Sequence, residues 1–92
     1  MSLKRAVVCF KGRVQGVWFR AYTKQQADLH QVCGWVRNRP DGSVEALLEG
    51  TDGNVKTVID LCKEGPSSAR VDEVELSWQP ATGEYNSFVI RH

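Results

Sequence analysis

The chain reads as an α+β domain of the ferredoxin-like split β-α-β type: βαββαβ plus a short C-terminal strand, an antiparallel sheet with two helices on one face. Three observations predict it. Two segments, at 19–31 and 51–66, have helical character. The other apolar runs are short and rich in Val, Cys, Phe and Trp, as strands are. Between the middle two stands Arg39-Pro40-Asp41-Gly42, a hairpin signal. Two βαβ halves joined by one hairpin give the split arrangement, and an antiparallel sheet with both helices on one face buries both amphipathic elements.

Each element has its own local reason. RAVVCFKG (5–12) is β-rich and ends on a glycine, so it reads as the first strand. FRAYTKQQADLHQ (19–31) has good helix formers and no Gly or Pro. Its stripes are weak: Tyr22, Gln26 and Leu29 share one, Thr23 and Ala27 another. CGWVRN (33–38) and SVEALLEG (43–50) read as the hairpin strands. Pro40 presets φ for the first central turn position, Asp41 tolerates the next, and Gly42 supplies positive φ. In the second hairpin strand Val44, Ala46 and Leu48 face one way, Glu45 and Glu49 the other. TDGNVKTVIDLCKEGP (51–66) is the clearest helix, with Val55, Val58, Ile59 and Cys62 at i, i+3, i+4 and i+7. Thr51 or Asp52 can cap its start, and Gly65-Pro66 stops it. VDEVELSW (71–78) alternates Val74, Leu76 and Trp78 against Glu73, Glu75 and Ser77, and SFVIRH (87–92) reads as a short last strand.

Ninety-two residues make one domain, 1–92. A chain of this length buries roughly 60–70% of its unfolded surface, enough to fold without metal or disulfide staples. No run of about 18 apolar residues is present, so no membrane span is expected. The apolar run Ala6–Phe10 is too short for a signal peptide. Cys9, Cys33 and Cys62 are odd in number and lack CxxC spacing, which argues against a disulfide framework or a zinc site. They predict free thiols in a reducing cytoplasm. The net charge of +1 hides an asymmetry: residues 1–39 carry +7 and residues 40–92 carry −6. A basic first half suits an anionic ligand.

GRVQGVWFRAY (12–22) joins the first strand to the first helix. Helix N-termini offer unpaired N–H groups and a positive dipole end. Gly12 and Gly16 let the backbone curve so that successive amides face inward, and Arg20 adds a planar fork suited to phosphate oxygens. The loop is not a Walker motif, since Val17 and Trp18 follow Gly16. By themselves, these residues better suit a tight strand-to-helix turn with a surface arginine. Asn38, at the end of its strand, by itself suits a turn asparagine.

Taken together, GRVQGVWFR (12–20) and GWVRN (34–38) with the following glycine turn closely resemble the acylphosphatase family, whose signatures are G-x-V-Q-G-V-x-F-R and G-W-V-x-N. The resemblance extends to the Glu49-Gly50 end of a strand and to NSFVIRH, and covers essentially the whole chain. It implies hydrolysis of acyl phosphates, R–CO–O–PO₃²⁻, to a carboxylate and inorganic phosphate. It assigns the phosphate to Arg20 and to the loop amides of Val14, Gln15, Gly16, Val17, Trp18 and Phe19. It assigns the attacking water to the Asn38 side chain. The leaving carboxylate has a conjugate-acid pKa near about 4, so no general acid is needed. No carboxylate cluster or His/Cys set stands at ligand spacing, so neither metal nor other cofactor is expected. The expected partners are a small-molecule acyl phosphate, and inorganic phosphate as product and competitive inhibitor; nothing demands more than a monomer. A nucleic-acid-binding module would want stacking aromatics where GSVEALLEG places glutamates. A non-catalytic anion sensor would have no use for a water-orienting Asn38.

Overall fold

The computed structural model describes residues 3–91, in the order β1 (Leu3–Arg13), α1 (Phe19–Leu29), β2 (Cys33–Asn38), β3 (Val44–Thr51), α2 (Asp52–Glu64), β4 (Arg70–Pro80) and β5 (Phe88–Arg91). The sheet order is β4-β1-β3-β2-β5. β1 pairs antiparallel with β3 and β4, and β3 pairs antiparallel with β2. His92, read as the end of the last strand, lies outside the described residues.

Alternation places Ala6, Val8 and Phe10 of β1, Val36 of β2, and Val44, Ala46 and Leu48 of β3 on one face. These residues share one core with Phe19 and Ala27 of α1 and with Val55, Val58, Ile59 and Cys62 of α2. Both helices therefore cover the same face, as the fold class requires. In α2 the Thr51 hydroxyl accepts from the Asn54 amide, so Thr51 is the cap. In α1 the packed stripe is Phe19, Thr23 and Ala27, while Leu29 is exposed. That helix ends two residues earlier than the sequence suggests. Gln31 adopts φ 55°, the Val32 amide donates to the Ala27 carbonyl (2.8 Å), and the Gln31 amide donates to the Asp28 carbonyl (3.4 Å). This is a Schellman closure with Gln where Gly is usual.

The last strand departs from a purely antiparallel sheet: β5 lies parallel to β2. The reason lies in where β4 stops. Pro80 pairs with Lys4, at the end of the sheet where β2 begins. The crossover 81–87 runs to the far edge along that end, so β5 starts beside the start of β2 and runs the same way. The Glu49 carboxylate clasps this crossover. It accepts from Arg5 Nε (2.9 Å), the Thr82 amide (3.2 Å) and the Gly83 amide (2.7 Å).

Burial pushes the Glu49 carboxyl up, but the Arg5 bond and the two amides outweigh it and hold the group below its ordinary value. A depressed folded-state pKa stabilises above the unfolded value, about 4.3 for Glu, and that contribution is lost as pH falls through the folded value. Glu49→Gln should therefore lower the thermal midpoint at pH 7, and the gap from wild type should close toward pH 3. Melting curves of both proteins across that range check this. A gap of constant size would show that the clasp works by shape alone.

Candidate active site

β1 and β2 both run antiparallel to β3, so their C-terminal ends lie together, and β5 ends there too. Phe10 and Asn38 both pair with Val44 and stand in one row on the helix-covered face. The 14–18 loop and the start of α1 sit at this end, following directly from β1.

The loop is shaped by a glycine and by strain. Gly16 adopts φ 72°, and a Cβ there would meet open space, so backbone conformation selects it. Trp18, the N-cap of α1, sits at φ 68° and ψ 16°. Left-handed backbone costs a bulky residue about 1–2 kcal/mol, and the surroundings must hold it. Val14 and Phe19 are buried at either end of the loop, and the Phe19 ring lies 5.2 Å from that of Phe10. Ser68 Oγ donates to the Val17 carbonyl (2.8 Å), and Gln15 Nε2 donates to the Arg39 (2.8 Å) and Ser43 (2.9 Å) carbonyls. A planar trans peptide points its N–H opposite to its carbonyl, so the Ser68 bond also aims the Trp18 amide.

Among the described residues, the backbone N–H groups of 15–19 make no hydrogen bond, and no side chain caps α1. Of these residues, Gly16, Trp18 and Phe19 line a cavity of about 210 Å³. Arg20 and Asn38 both line that cavity, with Trp18, Ala21 and Ile90 as its apolar wall. Arg20 Nη1 donates to the Arg91 carbonyl at the end of β5 (3.2 Å). Asn38 Oδ1 is buried with no hydrogen-bond partner among the described residues. Leaving such an acceptor unmade costs about 1–3 kcal/mol, so its lack of a partner calls for an explanation.

Of the residues expected here from the sequence, Val14, Gly16, Trp18, Phe19, Arg20 and Asn38 come together around one space. Gln15 and Val17 do not line it. The Gln15 side chain is bound to the hairpin, and Val17 packs against the core. Other basic residues go elsewhere: Arg37 pairs with Glu45 (2.7 Å) and lies over the Trp35 ring, and Arg39 reaches toward Cys9. Asp41 is a turn residue. Its carboxylate accepts from the Ser43 hydroxyl and amide, which hold it below the ordinary carboxylate range. Burial pushes the Cys62 thiol up to about 11, far from a nucleophile's range. Among the described residues no group of three or more His, Cys, Asp or Glu comes together to hold a metal ion. Ser68, Ile90 and Arg91 escaped the sequence reading, because nothing local in PSSAR or FVIRH points back to residues 14–20.

This arrangement has close counterparts. A family model described as Acylphosphatase matches residues 6–90. An acylphosphatase of Chloroflexus aurantiacus is 52% identical over 90 residues, covering 98% of each chain. One of Geotalea uraniireducens is 49% identical over 88 residues, covering 96% of this chain and 97% of that one. The crystal structure of the acylphosphatase from Bacillus subtilis superposes with a TM-score of 0.90 at 31% identity, over 98% of this chain and 99% of that one. On fold and sequence alike, the chain belongs to the acylphosphatase family, and its reaction is hydrolysis of acyl phosphates to a carboxylate and inorganic phosphate.

Proposed function

We propose that Arg20 and the amides of residues 14–19 hold the phosphoryl group, and that Asn38 orients the attacking water. One observation carries this reading: Gly16, Trp18 and Phe19, whose amides are unpaired, and Arg20 border the same small cavity as Asn38, whose Oδ1 is buried and unpartnered. The donors match phosphoryl oxygens, and the lone acceptor matches a water O–H. Water bound through Asn38 Oδ1 has its oxygen lone pair left for phosphorus.

The step needs little covalent help from the protein. The water oxygen bonds to phosphorus while the bond from phosphorus to the acyl oxygen breaks, and the carboxylate leaves with the electron pair. Asn is a poor base, so the water's proton passes to a non-bridging oxygen of the phosphoryl group itself. R–CO–O–PO₃²⁻ and water become R–COO⁻ and H₂PO₄⁻, with charge conserved. Catalysis of this kind rests on positioning and charge stabilisation. Residues 1–92 act as one domain and as a monomer, which the placement of every proposed role within one chain supports. The free thiols support a reducing cytoplasm as its setting.

A single experiment tests the reading. Benzoyl phosphate hydrolysis is followed in excess EDTA against rising inorganic phosphate. Full activity with chelator and competitive inhibition by phosphate are the expected results. Activity that vanishes with EDTA and returns with Mg²⁺ would overturn the metal-free mechanism. Inhibition independent of substrate concentration would place phosphate outside the loop.

A further inference from the structure

We infer that Gln15 is a positioning residue that sets the distance between the phosphate loop and Asn38; the inference rests on the roles proposed for Arg20 and Asn38. The two halves of the site come from different parts of the chain. The loop follows β1, while Asn38 ends β2, and β3 lies between those strands. No ladder spans that gap at the loop. Among the described residues, the two bonds from Gln15 Nε2 are the hydrogen bonds that join residues 14–18 to residues 38–43.

Their acceptors are well chosen for this purpose. The Arg39 carbonyl belongs to the residue next to Asn38, and the Ser43 carbonyl stands across the turn. That turn is itself closed, since the Arg39 amide donates to the Ser43 carbonyl (2.8 Å) and the Gly42 amide to the Arg39 carbonyl (3.1 Å). A primary amide nitrogen has two protons, and Gln15 commits both to this link. Its side chain therefore has no donor left for a phosphoryl oxygen. A shift of the loop against the hairpin moves the phosphorus away from the water, and a misplacement of about 1 Å can cost about 10²-fold in rate.

The comparison that tests this uses Gln15→Met, which keeps length and removes both donors, in the full chain. Turnover of benzoyl phosphate and the inhibition constant of inorganic phosphate are measured with and without Asn38→Ala. We expect Gln15→Met to lower kcat by about 10- to 100-fold while phosphate affinity stays within about three-fold. In the Asn38→Ala background the same change should barely alter the residual rate, because the two residues act through one geometry. If Gln15→Met does not fold, Gln15→Ala carries the same comparison. Wild-type kcat in a folded variant, or a loss of phosphate affinity as large as the loss of kcat, would overturn the inference. So would a full additional loss in the Asn38→Ala background. Full turnover in Asn38→Ala alone would instead remove the water-orienting reading, and the inference with it.

Discussion

An Arg20→Gln variant is expected to fold and to lose turnover by on the order of 10²–10³-fold, the usual effect of removing one pre-organised electrostatic donor. Phosphate affinity should fall with it. The guanidinium is rigid, planar and always charged, and it offers a fork that matches two oxygens of a phosphoryl group. Gln keeps a donor but loses the charge and the second parallel bond. That contact is made to substrate and to transition state alike, so both binding and rate should suffer. One bond of Arg20 goes to the Arg91 carbonyl, which steadies the guanidinium at the mouth of the cavity. Gln is too short to repeat this arrangement. Steady-state kinetics with benzoyl phosphate, phosphate inhibition and a melting curve together check the result. Wild-type phosphate binding by a folded Arg20→Gln protein would contradict the assignment.

Asn38→Ala should separate chemistry from binding. Turnover should drop to near background while phosphate affinity stays within about a few-fold, because the anion is held by the other wall. Effective-molarity terms of about 7–11 kcal/mol are available to a positioned reactant, and a third of that corresponds to about 50- to 500-fold. Stability supplies a second readout. A strand-end asparagine that braced the turn would cost stability when removed. Asn38 Oδ1, however, has no partner among the described residues, so Ala removes a buried unsatisfied acceptor. The thermal midpoint should therefore match or exceed that of wild type. A stable variant that still turns over near the wild-type rate would return Asn38 to the role of a turn residue.

How far the sequence reaches depends on the range of each interaction. α2 is legible because Val55, Val58, Ile59 and Cys62 repeat at the helical period and all four are buried. The turn at Pro40-Asp41-Gly42 is legible because Asp41 bonds only two residues away. The loop and Asn38 are legible as a pair through their two signatures, and the structure brings both to one cavity. What escaped is long-range. The parallel partner of β5 depends on where β4 happens to stop, which no local period encodes. The exit of α1 depends on Gln31 taking a conformation its composition does not advertise. Ser68 and the Gln15 side chain act on backbone carbonyls far along the chain, and carbonyls carry no residue identity to read.

The interior place of β1 has a consequence for how this site comes into being. Phe10 pairs with Val44 on one side and with Val74 on the other. Neither closure is local, so the chain loses a large loop entropy before either pairing stabilises it, and such topologies fold slowly. The stretch from Gly12 to Arg20 looks self-contained on paper. Its curvature nonetheless depends on Phe10 beneath it, on the hairpin beside it and on Ser68 arriving after α2. Catalytic competence therefore rests on pairings far apart in the chain, with β3 and β4 closed on either side of β1, and not on the loop's own sequence.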